Sequence, residues 1–223
     1  MLKVNYKIIT MPEEYYRRLP ALSNSDLTVA KHLLAGIPYS KPMAAFRFGR
    51  AVHLCLLEPE RWQQWKAETD QVTAQKVELL AAAARQNTAL EKLLARCYTR
   101  KEQVVLWQDP ITKIDCKARI DLLRERQLVA DLKTTRAASL EGFISDAERF
   151  DYDRQLAFYG MALQPKRYLL AGISKKKLGS VYFISLAQDD HFILRGRQKV
   201  AAIIRTLQKQ PAVLRQVLAA REV

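Results

Sequence analysis

The chain has 223 residues, enough for one globular domain of generous size. Hydrophobic residues make up 49% and charged residues 27%, which excludes a mainly disordered or collagen-like polymer, and no apolar run approaches the roughly 18 residues of a membrane span. Lys and Arg number 37 against 23 Asp and Glu, a formal charge of +14 that biases the protein towards a polyanion. Three scattered cysteines (Cys55, Cys97, Cys116) are too few for a disulfide framework, and residues 1–7 lack the apolar stretch of a secretory signal. Reduced thiols and a cytoplasmic location are the expectation.

In chain order, residues 10–40 are polar and turn-rich. Within them Ser23-Asn24-Ser25-Asp26 supplies N-cap chemistry for a short helix over 27–34, ended by Gly36 and Pro38. A second helix is expected over 46–57, stopped at Glu58-Pro59, and a third over 74–95, where Ala81 to Ala84 give high propensity. Residues 103–107 then read as a strand, 114–123 as an alternating strand and 128–134 as another, forming an antiparallel meander. A helix over 152–163, a strand over 180–186 and a closing helix over 193–207 complete the pattern. Helices followed by βββ-α-β-α predict an α/β (α+β) core with an N-terminal helical layer, and one domain over 1–223. From Phe150 onward 13 basic residues face five acidic ones, so that third carries +8 of the surplus. Its Lys175-Lys176-Lys177 run falls in a predicted loop. Such a one-sided distribution favours nucleic acid over a membrane surface.

The meander carries the candidate chemistry. Asp131 and Lys133 share one strand face while Leu132 points away. A three-residue loop at Glu125-Arg126-Gln127 would set Asp121 directly opposite Asp131; a two-residue loop at Glu125-Arg126 would set it opposite Ala130, on the wrong face. Opposed carboxylates repel unless a cation compensates, and clustered carboxylate oxygens suit Mg²⁺ or Mn²⁺. Lys133 beside such an ion would stabilise charge building on phosphorus. A solvated surface strand with alternating Asp and Lys is the plainer reading of D-x-K alone. His53 lies in an apolar helical run, where a buried core histidine is the plainer reading and a metal ligand the sharper one. Gln155 and Tyr159, an i, i+4 pair on one helix face, read either as polar tips of a half-buried helix or as a group orienting Lys133 or a phosphate. Arg47, Arg50 and Arg119 are candidate phosphate ligands, and Arg119 shares the face of Asp121, where a salt bridge is equally natural.

Together these elements resemble the PD-(D/E)xK nuclease superfamily, and within it the RecE-type exonuclease (exodeoxyribonuclease VIII) nuclease domain. The likeness spans roughly residues 20–185. It is carried by Ala21-Leu22-Ser23-Asn24-Ser25-Asp26-Leu27, Phe48-Gly49-Arg50-Ala51-Val52-His53, Leu57-Glu58-Pro59-Glu60, Cys116-Lys117-Ala118-Arg119-Ile120-Asp121, Asp131-Leu132-Lys133-Thr134-Thr135 and Gln155-Leu156-Ala157-Phe158-Tyr159. The resemblance implies a restriction-endonuclease-like core, with His53, Asp121, Asp131 and the Leu132 carbonyl at the metals. It also implies Lys133 as catalytic lysine and the Gln155/Tyr159 helix motif; Arg50 and Arg119 are the candidates for a 5′-phosphate, and the basic run Lys175 to Lys177, on charge alone, for the DNA backbone. Many superfamily members carry a further acid on an N-terminal helix, and Glu58 is the candidate here. The implied activity is Mg²⁺-dependent 5′-to-3′ degradation of double-stranded DNA ends, leaving 3′ single strands for an annealing protein, by a ring-shaped homo-oligomer. A non-catalytic DNA-binding protein and a restriction-like endonuclease are the alternatives. The iron–sulfur nucleases of CRISPR adaptation share the D, D-x-K and Q-x-x-x-Y elements but use four cysteines, one more than this chain has.

Overall fold

The computed structural model describes residues 4–40, 42–95 and 99–219. Cys97, Arg221 and Glu222 lie outside them. The elements in chain order are β1 (Tyr6–Ile9), α1 (Glu13–Arg18), α2 (Asn24–Leu34), α3 (Met43–Leu57), α4 (Pro59–Ala67), α5 (Gln71–Arg85) and α6 (Thr88–Ala95). There follow β2 (Arg100–Gln108), β3 (Asp115–Arg124), β4 (Leu128–Thr135), α7 (Leu140–Arg149), α8 (Tyr152–Leu163), β5 (Arg167–Ser174), β6 (Val181–Ala187), α9 (His191–Lys209) and α10 (Pro211–Ala219).

The six strands form one sheet in sequence order. Every neighbouring pair is antiparallel except β4 and β5, which run parallel from Leu128↔Arg167 to Thr135↔Ser174. A parallel pair needs a crossover, and α7 with α8 provides it. Helices cover both faces. One buried cluster joins α3, α4, α5 and α6 to Leu122, Ala130, Leu132, Ala171 and Ile173 of the sheet. The other joins α2, α7, α8, α9 and α10 to Val105, Ile120, Val129, Tyr168 and Leu170. The architecture is thus the expected mixed α/β core with an N-terminal helical layer.

Local chemistry explains the boundaries. Ser23 caps α2 in a reciprocal box: its backbone N–H donates to Asp26 Oδ2 at 2.6 Å while its hydroxyl accepts from the Asp26 N–H. The helix expected over 74–95 is two helices, because Asn87 Oδ1 accepts from the N–H groups of Ala89 and Leu90 and starts a new one. Pro59 does not merely stop α3; it occupies the first turn of α4. The pattern after the meander is αα-ββ-αα rather than α-β-α. Strand β5 escapes an alternation test because it is central and buried on both faces.

Lys117 anchors α1 to the sheet. Its buried ammonium donates to the carbonyls of Tyr16, Arg17 and Leu19 at 2.8, 3.0 and 2.8 Å, satisfying the orphan acceptors at a helix end. Among the described residues no helix is long and apolar enough to cross a membrane.

Candidate active site

The hairpin between β3 and β4 has the three-residue loop: Arg124 pairs with Leu128, Leu123 with Val129 and Leu122 with Ala130. The ladder ends there, one residue short of Asp121 and Asp131, and the strands part into a fork. Asp121 Oδ2 accepts from the Leu132 N–H at 2.6 Å, so a carboxylate replaces the next ladder carbonyl. The N–H and C=O of one strand residue face the same neighbour. The Leu132 carbonyl is therefore turned towards the same gap, while the Leu132 side chain packs in the core beneath α3.

Asp131 and Lys133 lie on the face covered by α8. The Lys133 ammonium pairs with Asp131 Oδ2, and Gln155 Nε2 donates to Asp131 Oδ1 at 2.8 Å and to the Tyr159 hydroxyl at 2.6 Å. Burial, together with the Asp121 charge, pushes the Asp131 carboxyl up to about 6 despite Lys133. Burial would also raise Asp121, but the charges of His53 and Lys133 and the Leu132 N–H hold it below its ordinary value. His53 reaches the fork from α3, whose backbone packs closely on β4: a Cβ at Gly49 would stand 3.5 Å from Thr134 Oγ1. Its Nδ1 lies 3.5 Å from Asp121 Oδ1. Burial disfavours the imidazolium, yet the Asp121 carboxylate overrides it and raises His53 to about 9.

A residue that sequence reasoning missed completes the group. Glu102 in β2 has a left-handed backbone, φ +51, a costly conformation for a non-glycine residue and one that gathers at functional sites. Its neighbours keep a single register, Lys101↔Leu122 and Gln103↔Ile120, which sets Glu102 level with Asp121. Core alternation is reset at this level, since Ala118 and Ile120 lie in the α8-side core, Leu122 in the α3-side core and Leu123 in the α8-side core again. His53, Glu102 and Asp121 carry ligand atoms within 4.8 Å of one another. Burial and the Asp121 charge push Glu102 up to about 7 against the pull of Arg119 and His53.

Arg119 is held by two carboxylates: its Nε pairs with Glu102 and an Nη atom with Glu58 Oε2 at 2.8 Å. Glu58 also takes Arg61 at 2.9 Å, so the acid expected to join the metal group from a helix instead braces Arg119. Arg50 pairs with Glu13 at 2.8 Å, and Arg47 is exposed. Lys175, Lys176 and Lys177 are exposed just past the end of β5. The Lys175 N–H donates to the Thr135 carbonyl at 2.8 Å, and its ammonium lies 5.6 Å from the Phe48 ring centroid on α3. The basic C-terminal third is not one free face, because Arg154, Arg195 and Lys199 pair with Asp151 and Asp153.

His53, Glu102 and Asp121 bring one imidazole nitrogen and two carboxylates together, a donor set suited to Mg²⁺ or Mn²⁺, while Asp131, engaged by Lys133 and Gln155, is not one of that close group. The buried Asp131 Oδ2 meets the Lys133 ammonium but no hydrogen-bond donor in good geometry, which leaves it a lone pair to offer.

Among curated proteins nothing matches the chain. Among the solved structures that resemble the chain, two illustrate the shared fold. One, described provisionally as an exonuclease from Eubacterium rectale, aligns with a TM-score of 0.63 at 13% identity over 96% of this chain and 88% of that one. The other, LHK-Exo in complex with dAMP, aligns with a TM-score of 0.50 at 15% identity over 94% and 99%. A family profile, DUF3799, matches residues 23–212, which include every member of the fork. The chain belongs to that family, the PDDEXK-like domain of unknown function.

Proposed function

We propose that this protein is a metal-dependent deoxyribonuclease that degrades double-stranded DNA ends 5′ to 3′. One observation carries the reading: His53, Glu102, Asp121, Asp131 and Lys133 converge where β3 and β4 part. A scaffold protein gains nothing from carboxylates whose repulsion must be offset, whereas phosphodiester hydrolysis needs this arrangement. His53, Glu102, Asp121, Asp131 and the Leu132 carbonyl would hold Mg²⁺, for which Mn²⁺ substitutes; the ion supplies a Lewis acid and lowers the pKa of water at the site. Lys133 presents its ammonium to the negative charge that grows on the phosphate oxygens. Asp131 fixes that ammonium, Gln155 fixes Asp131, and Tyr159 accepts from the same amide. Lys175 to Lys177, with Arg47, offer positive charge to the flanking backbone.

The fold shared with structures described as exonucleases, one of them crystallised with dAMP, supports action on DNA. The RecE-type motifs support the polarity, a ring-shaped homo-oligomer and an annealing protein that takes the 3′ single strands. The test uses linear duplex labelled at the 5′ or the 3′ end, beside a covalently closed circle, with Mg²⁺ or EDTA. Early loss of the 5′ label, an intact circle and no reaction in EDTA are expected. Cleavage of the circle would make the enzyme an endonuclease, and activity in EDTA would overturn the metal mechanism.

A further inference from the structure

We propose that Phe150, flanked by Arg149 and Tyr152, forms a stacking subsite for an unpaired nucleobase of the strand whose phosphate meets Lys133. The inference rests on the nuclease reading above and adds a place for the base. Four groups form a continuous array leading out of the fork. The Lys133 ammonium lies 5.0 Å from the Tyr152 ring centroid, the Tyr152 and Phe150 rings are 6.0 Å apart and tilted by 32°, and the Arg149 guanidinium lies 4.4 Å from the Phe150 centroid. The turn between α7 and α8 builds it. Asp151 takes a left-handed backbone, φ 54, and brings the rings on either side of it together.

The array ends at the surface. Phe150 is 50% exposed, and the Arg149 side chain, which also pairs with Asp146 at 3.5 Å, is 69% exposed, so both keep area open to solvent. The Arg149 guanidinium and the Tyr152 ring flank the Phe150 ring, and half of the residue is left to solvent. The carboxylate in the turn does not repel a phosphate, because Asp151 is matched by Lys31 and Lys199, each at 2.7 Å. The Phe150 ring lies within about 11 Å of the Lys133 ammonium, the reach of about three stacked bases at a rise of about 3.4 Å each. Aromatic rings and guanidinium planes are the surfaces on which single-strand binders stack bases, independently of sequence.

The test measures fluorescence anisotropy of a labelled twelve-residue oligothymidylate, and of an abasic strand of equal length and charge, in EDTA so that nothing is hydrolysed. Wild-type protein should bind the thymidylate more tightly than the abasic strand. Phe150→Ala should weaken thymidylate binding about 5- to 100-fold with little effect on the abasic strand, and Phe150→Trp should restore or exceed wild-type binding. Unchanged melting temperatures would show that the exposed position tolerates both changes. Equal weakening for both strands, or none for either, would overturn the subsite while leaving end degradation by the wild type intact. Failure of the wild type both to bind and to degrade DNA would overturn the subsite and the nuclease reading together.

Discussion

Glu102→Gln separates the demands of folding from those of metal binding. In the metal-free protein the Glu102 carboxyl titrates near 7 instead of its ordinary 4.5. Between those values the folded protein keeps a proton that the unfolded chain has released, so stability falls as pH rises through the window and stays low above it. At about 1.4 kcal/mol per pH unit the gap is worth roughly 3 kcal/mol. A neutral glutamine of the same shape never incurs that cost. The metal-free variant should therefore be more stable than wild type at pH 8 by roughly 3 kcal/mol, which is about 6–12 °C in Tm for a chain of this size. At pH 5, where most of the loss has yet to develop, the gain should be under about 1 kcal/mol. Metal affinity should move the other way, with Mn²⁺ binding weakened at least about tenfold. Calorimetric melting in EDTA at the two pH values, followed by Mn²⁺ titration, reads both quantities. A variant no more stable than wild type at pH 8, or stabilised equally at pH 5, would refute the electrostatic description of the fork. Undiminished Mn²⁺ affinity would remove Glu102 from the ligand set.

Three further outcomes are expected. Gln155→Ala releases Asp131 from its 2.8 Å donor and should lower single-turnover cleavage about 10- to 100-fold while Tm changes by less than about 2 °C; a large Tm loss would make Gln155 a folding residue instead. Lys117→Met strips three carbonyls at the end of α1 of their donor and should cost roughly 3 kcal/mol in denaturant unfolding, with Mn²⁺ affinity unchanged; a neutral effect would mean that water replaces the ammonium. Gly196→Ala places a Cβ against the Asp153 backbone where α8 and α9 cross. It should cost about 1–3 kcal/mol, and no loss would show that the two helices can separate freely.

Much of the site's geometry was legible because strand chemistry is periodic. The alternation around Asp131 and Lys133 follows from side chains pointing alternately up and down, whereas the choice between a two- and a three-residue loop after Arg124 was open in the sequence and is decided by the observed register. What lay beyond the sequence lacked such a local rule. Glu102 precedes the alternating stretch that marks β2, and its left-handed backbone is a tertiary constraint with no signature in a Lys-Glu-Gln triplet. The opening of the β3–β4 ladder at Asp121 was equally hidden, since pairing in register predicts continued hydrogen bonds and not a carboxylate taking the Leu132 N–H. Glu58 shows the converse. A carboxylate near a helix end looks free in sequence, but in the fold Arg119 and Arg61 engage it. Strand β5 was missed because a strand covered on both sides has no polar face to alternate with.

Anomalous diffraction from crystals soaked in Mn²⁺ tests most directly whether the parted strands hold a divalent cation. A peak between Asp121 and Asp131, within coordination distance of His53 or Glu102, is the expected result. Soaked crystals with manganese only at other surfaces, and this gap unfilled at millimolar concentration, would contradict it.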